Sequence, residues 1–371
     1  MKEIVPLLCI FGLFCHSLQA VPVGDVSSVR ERLQQTGDEP TQSDRNAIDD
    51  FWHTAMDMML LSEESSEIVS IRREIQKQKG TEPLSFYATV YTQIGRDHLQ
   101  TAFETVDQWV ASDSQTLMRR NLMILTAQMQ SPLLAEFGLD RLDDPDDVVR
   151  YWAVKSVAGR AIRSQLIDPA TGDEALTRQI LDALLDRVQD ESDIEILRAI
   201  VTFAAGVDRP RAHEILQAAA QRRAQAYMNW DVADEWFDGA LLRMTGQVIL
   251  EQRPSEARAA LGRHFAELLS LVFQRYMADP SPLSDTQRDA LMGVIAEVET
   301  QVLNRIMDQP TPFIRLIQRG GAGLEREFEA YFGSGAGAGH LASRLGFNYG
   351  STGTGQPVHT PPRLPDPPAS E

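Results

Sequence analysis

The chain has 371 residues, 43% hydrophobic and 24% charged, and its 53 Asp and Glu outweigh 35 Lys and Arg for a formal net charge of −18. That length suffices to bury a large core or to stack many small repeats. A polyanion of this strength repels phosphates, which excludes nucleic acid as a partner and disfavours anionic lipid surfaces; the charge confers solubility and, beyond that, points to a basic protein partner.

Residues 1–20 have the layout of a secretory signal: Lys2 as the positive start, an apolar run from Ile4 to Leu18, and Ala20 as a small residue before a cleavage point at Val21. The run is too short for a confident membrane span, so no integral span is expected once it is removed. Glu3 weakens the positive start and leaves a retained N-terminal anchor open. Cys9 and Cys15 both fall inside this segment, with Leu8 and Phe14 where a lipid-attachment cysteine would need a small residue before it. The cleaved chain holds no cysteine, hence no disulfide, no thiolate metal site and no cysteine nucleophile. An exported protein without disulfides suits a bacterial envelope, periplasmic or extracellular.

Residues 21–42, polar and carrying Gly24, Gly37 and Pro40, read as a flexible leader. An all-α domain is expected over 43–332. Ser43 is placed to cap a helix with Ile48, Phe51, Trp52 and Ala55 on one face, extended by residues 56–61. A second helix runs from Glu63 to Lys79 and stops at Gly80. Between Leu84 and Ala111 the spacing of Phe86, Val90, Ile94, Phe103, Val106 and Val110 fits one long helix, or two broken near Gly95. Helices follow over 115–130, 132–142, 146–166, 173–188, 192–205, 210–227, 231–251, 254–277 and 284–308, the last opened by a capping box of Ser284 with Gln287. No sustained apolar/polar alternation and no Asn-Gly or Asp-Gly turn signals a strand. Residues 324–332 form one more brief helix, and 333–371 are Gly-rich and then Pro-rich, a low-complexity composition that reads as a disordered tail because it buries too little apolar surface to offset its ordering entropy.

The most informative stretch is 143–159, an acidic turn that launches an amphipathic helix. Asp144, Pro145 and Asp146 make the turn, and its carboxylates lie at the positive end of the helix dipole. Val149, Ala153 and Val157 share one face, Trp152 and Ser156 flank it, and Arg150 sits one turn in, within reach of the acidic turn. The pattern resembles the HEAT repeat, whose inner turn and second helix run Asp-Pro-Asp-x-x-Val-Arg-x-x-Ala. Asp144, Pro145, Asp146, Val149, Arg150 and Ala153 match it; Ser156, Val157 and Ala158 stand in for its Ala-Leu-Gly ending, with Gly159 one place late.

Shifting the sequence against itself by 46 residues lays Leu139-Asp140-Arg141-Leu142 on Leu185-Asp186-Arg187-Val188, Asp147 on Asp193 and Ala153 on Ala199. In that register Pro145 becomes Glu191 and Arg150 becomes Ile196, so the second turn loses the arginine support of the first. The resemblance covers about residues 114–206 and implies a right-handed α-solenoid of stacked antiparallel helical hairpins with a long concave surface. It also implies a structural role for Asp144, Asp147 and Arg150 in the turn, and a protein-binding scaffold rather than an enzyme.

The most suggestive binding residues are Trp230, Asp231, Asp234, Glu235 and Asp238. On a helix starting near 231 the four carboxylates stand at i, i+3, i+4 and i+7 and share a face, which could hold a divalent cation or dock a basic peptide or aminated glycan. The plainer reading is a solvated acidic first turn with its aromatics in the core. Glycoside hydrolysis needs two carboxyl groups held apart across a cleft, which adjacent acids on one helix do not give. No histidine pair has zinc-site spacing, the glycines of 333–339 lack the strand and Lys-Ser/Thr of a phosphate loop, and no Gly-x-Ser-x-Gly is present, so no metal, cofactor or catalytic residue is assigned. The paired arginines Arg119-Arg120 and Arg222-Arg223 read as solvent-facing or as neutralising neighbouring acids. The expectation is an exported scaffold or binding protein of the cell envelope; the alternative is a helical enzyme acting on envelope polymers, with its site near 230–238.

Overall fold

The computed structural model describes residues 25–81, 85–168, 170, 172–278, 283–335 and 337–367; the secretory signal expected at 1–20 lies outside them. The protein is all-α: among the described residues nearly all regular structure is helix. The chain divides into two compact units, one ending at Asn121 and one beginning at Leu122.

In the first unit α1 (Ser27–Thr36), α2 (Gln42–Leu61), α3 (Ser65–Lys79) and α4 (Phe86–Asp107) pack on one another, and the division falls within α5 (Asp113–Gln128). The flexible leader expected at 21–42 is corrected for its described part, because α1 folds there. Val26 and Leu33 are buried, and the Arg30 guanidinium donates to the Lys77 carbonyl at 2.8 Å, at the negative end of the α3 dipole. The cap of α2 is Thr41 rather than Ser43: its hydroxyl accepts the Asp44 N–H, and the Asp44 carboxylate accepts the Thr41 N–H at 2.8 Å. The Arg32 guanidinium, with help from Thr41, holds the Asp44 carboxyl down at about 2. Gly95 does not break α4. A Cβ there would lie 2.2 Å from the Trp52 ring, so the glycine lets that fully buried indole approach and donate to the Tyr91 carbonyl at 3.1 Å.

In the second unit a 3₁₀ turn (Pro132–Leu134) leads into α6 (Ala135–Leu139). Next come α7 (Asp147–Ala158), α8 (Arg160–Leu166), α9 (Glu174–Asp190), α10 (Ile194–Ala204), α11 (Pro210–Met228), α12 (Glu235–Glu251) and α13 (Glu256–Met277). The single helix expected over 146–166 is two, separated by extended backbone at Gly159. The helix expected at 284–308 forms as α14 (Asp285–Val298), a π-helical turn (Glu299–Leu303) and α15 (Asn304–Met307), opened by the Ser284–Gln287 capping box. These helices lie in two rows: α9, α11 and α13 pack successively on one another, α7, α10, α12 and α14 do the same, and the rows cover each other's apolar faces.

The chain continues through α16 (Phe313–Gln318), α17 (Leu324–Phe332), a short antiparallel pair β1 (Gly333–Ser334) and β2 (Gly337–Ala338), and α18 (His340–Leu345). The disordered tail expected over 333–371 is therefore corrected for its described residues, 333–335 and 337–367. Leu341, Ala342 and Leu345 are buried, Leu345 against Gly262 of α13, and the Tyr349 N–H donates to the Val358 carbonyl at 2.9 Å. A few apolar side chains landing on an existing surface, with backbone pairs between, supply what the local composition lacks.

Candidate functional site

The two turns that open α7 and α10 are built alike, with a register the sequence shift missed by one residue. Asp146 caps α7, its carboxylate accepting the Val149 N–H at 3.0 Å; Asp193 caps α10, accepting the Glu195 and Ile196 N–H groups at 2.8 and 3.0 Å. Two residues earlier, Asp144 accepts the Asp146 N–H and Glu191 the Asp193 N–H, each at 2.9 Å. Val149, Ala153, Val154, Ser156 and Val157 are buried in α7, and the residues 47 further on, Ile196, Ile200, Val201, Phe203 and Ala204, are buried in α10. Before the turns the offset is 46, where Leu142 and Val188 are both buried, so the second turn holds one extra residue. The counterpart of Glu191 is therefore Asp144, not Pro145, and that of Arg150 is Leu197.

Arg150 reaches the turn as expected, but through carbonyls: it donates to Asp144 O at 2.9 Å and Pro145 O at 3.2 Å. Its charge partner is Glu191, fully buried, which accepts from Arg150 Nε at 3.0 Å and Nη2 at 3.2 Å and lies 3.0 Å from Arg187 Nε. Burial on its own would raise the Glu191 carboxyl, but Arg150, the Asp193 N–H and Arg187 outweigh it and hold it below its ordinary value. Asp147 is exposed and acts on Arg150 only as a nearby charge. Glu191, not singled out by the sequence, is the residue that ties the end of α9 to α7. Its spacing two before a capping Asp was the available signal.

The acidic face expected over 231–238 does not form. Trp230 and Asp234 have φ of 58° and 57°, so 230–234 is a turn and α12 starts at Glu235. Asp231 and Asp234 are exposed on that turn, while Glu235 and Asp238 face inward. Asp238 accepts from Arg223 Nε at 2.6 Å and Nη2 at 3.0 Å and from the Tyr227 hydroxyl at 2.8 Å. Burial pushes the Asp238 carboxyl up against the pull of these donors, and pushes the Tyr227 hydroxyl well up, which keeps it an O–H donor at neutral pH. Glu235 faces Arg275 at 3.5 Å, and the Arg275 guanidinium lies 5.5 Å from the Tyr227 ring and 5.7 Å from the Trp230 ring. Glu235 and Asp238 are each matched to a guanidinium within the fold, so these two do not make a free carboxyl pair. Among the described residues no three His, Cys, Asp or Glu side chains come together to hold a metal ion.

A different surface is open. Tyr151 and Lys155 on α7, Arg160 and Arg163 on α8, and Arg198 on α10 line a hollow of about 280 Å³, and Lys155 and Arg160 also line a neighbouring one of about 540 Å³ beside Trp152. The smaller hollow carries four cations against one carboxylate, Glu195, which pairs with Arg198. Lys155 stands 6.0 Å over the Tyr151 ring, Arg163 donates to the Thr202 carbonyl at 3.2 Å, and Arg198 lies 5.8 Å from Trp236, which is 43% exposed. Cations and aromatic faces grouped on an anionic chain suit an acidic, extended segment. None of these cations stands out in the sequence, where only Gly159 separates α7 from α8 and nothing local brings α10 beside them.

Against family models and curated proteins the chain finds no match. No helix among the described residues is long and apolar enough to cross a membrane.

Proposed function

We propose that the chain is an exported, non-enzymatic scaffold of the HEAT-like, armadillo-like class that binds a protein partner in the cell envelope. Recurrence of the cap, the supporting acid and the buried face at 47 residues supports the repeat reading, and two rows of successively packed helices suit an α-solenoid. The observation that carries the binding role is the cationic hollow shared by α7, α8 and α10. Net charge alone favoured a basic partner; local charge at this surface favours an acidic segment of the partner. The acids of 230–238, expected as the site of a hydrolytic alternative, are matched internally by Arg223 and Arg275 and offer no support for that chemistry.

The test is fluorescence anisotropy with a labelled Glu- and Asp-rich peptide. Lys155→Glu with Arg160→Glu should weaken binding about tenfold or more, and raising the salt from about 0.05 to 0.3 M should weaken it in the parent chain and not in the variant. Binding that ignores both changes removes the assigned surface. Export predicts in addition that mass spectrometry of the protein from its native compartment finds an N-terminus at Val21; an intact Met1 there would contradict a cleaved signal.

A further inference from the structure

The last described stretch, residues 359–367, is neither helix nor strand, yet it is fastened at defined points. Gln274 on α13 engages two of its peptide groups at once: Nε2 donates to the Pro362 carbonyl at 2.8 Å, and Oε1 accepts the Leu364 N–H at 2.7 Å. The Trp230 indole donates to the Pro365 carbonyl at 3.0 Å. All three bonds go to main-chain atoms, so they select an extended backbone and not a particular side chain.

Spacing and rigidity explain why prolines occur there. Pro362 and Pro365 are three residues apart, one turn of a polyproline helix, which presents both carbonyls on one side. Proline has no N–H to leave unsatisfied, and its fixed φ reduces the entropy lost on docking. The receiving side is rigid as well. Trp230 sits at a φ of 58°, which L-residues rarely adopt, and its ring rests 5.7 Å from the guanidinium of Arg275. Arg275 is 3% exposed, and its Nε and Nη1 make no hydrogen bond, so the rings of Tyr227 and Trp230 and the Glu235 carboxylate are what hold it.

We propose that Trp230 and Gln274, with Arg275 buried behind the indole, form a recognition site for an extended Pro-x-x-Pro segment of a partner protein, and that the chain's own residues 362–365 occupy it in cis. This site is separate from the cationic hollow and does not depend on it. A tethered tail competes at an effective concentration in the millimolar range, so a partner enters only by displacing it. The tail thereby sets the affinity threshold.

Leu364→Pro tests this in the full-length chain, since it deletes the N–H that Gln274 accepts and leaves the receiving residues unchanged. A fluorescein-labelled peptide of residues 358–367 should bind the Leu364→Pro chain at least about tenfold more tightly than the wild type, and adding Gln274→Ala to that background should remove the gain. A variant that melts like the parent and binds the peptide no better overturns the proposal, as does a gain that survives Gln274→Ala. The wild-type chain gives a second measurement: excess unlabelled peptide should speed exchange of the Leu364 amide, and no change at saturating peptide overturns displacement. A doubled mass by light scattering of the wild-type chain, abolished in the Leu364→Pro variant, would overturn the assignment in cis in favour of tails exchanged between copies.

Discussion

The turns before α7 and α10 perform one task with different means. Both cap a helix with Asp and support that cap with an acid two residues earlier, and both helices bury the same five positions. In the first, Asp144 is half-buried and makes a local bond; in the second, Glu191 is fully buried and also takes two guanidinium groups, Arg150 from α7 and Arg187 from α9. A longer side chain at the same backbone position converts a turn support into a link between neighbours. Repetition of backbone and burial therefore does not imply repetition of energetics.

The comparison breaks or sharpens under a short series of substitutions. Largest should be Glu191→Ala, which strips Arg150 and Arg187 of their shared counter-ion and is expected to cost about 3–5 kcal/mol in urea unfolding; Asp144→Ala, losing one backbone acceptor, should cost about 1 kcal/mol. Equal losses would end the distinction between the two turns. Next is Gly138→Ala. A Cβ there would fall 2.1 Å from Ser156 Oγ and 2.8 Å from the Ala153 carbonyl, whereas the position 46 residues on is the buried Leu184 of α9, so about 1–3 kcal/mol is expected from thermal melts. The caps should follow at about 1 kcal/mol each, Asp193→Ala above Asp146→Ala because Asp193 accepts two N–H groups to helix α10.

The mildest effect is on pH dependence. The Glu191 carboxyl is held below its ordinary value, so its contribution is present above the unfolded pKa, near 4, and is lost as the pH falls through the folded one. Melting temperature should drop on acidification below about pH 4, and Glu191→Gln should flatten that drop in the second unit. Asp44, held at about 2 by Arg32, gives the first unit a loss of the same sign between about pH 4 and 2. An unchanged acid limb in Glu191→Gln would place the carboxylate's contribution elsewhere.

Much of the helical framework was legible because its signals are local: apolar spacing, the Ser284–Gln287 box, and Gly80 closing α3. The sequence misleads where a local signal has two meanings. Gly95 and Gly159 look alike in sequence, yet one admits Trp52 into a continuous helix and the other ends one. The acids of 231–238 also carried two meanings, because nothing near them announces that Arg223, fifteen residues earlier, turns inward to meet Asp238. Their shared face required a helix beginning at 231, and the left-handed backbone at Asp234 delays it to Glu235.

What the sequence determined by itself was the all-α class and the capped acidic turn that opens α7, since helix periodicity and capping are decided within a few residues of chain. Only the tertiary structure decided that Glu191 is a link, that the 230–238 acids are spoken for, and that the proline-bearing tail is docked through Gln274, ninety residues away from Leu364. Those outcomes depend on which charges and peptide groups meet across the fold, and on the desolvation each suffers there, which no pattern of neighbours along the chain encodes.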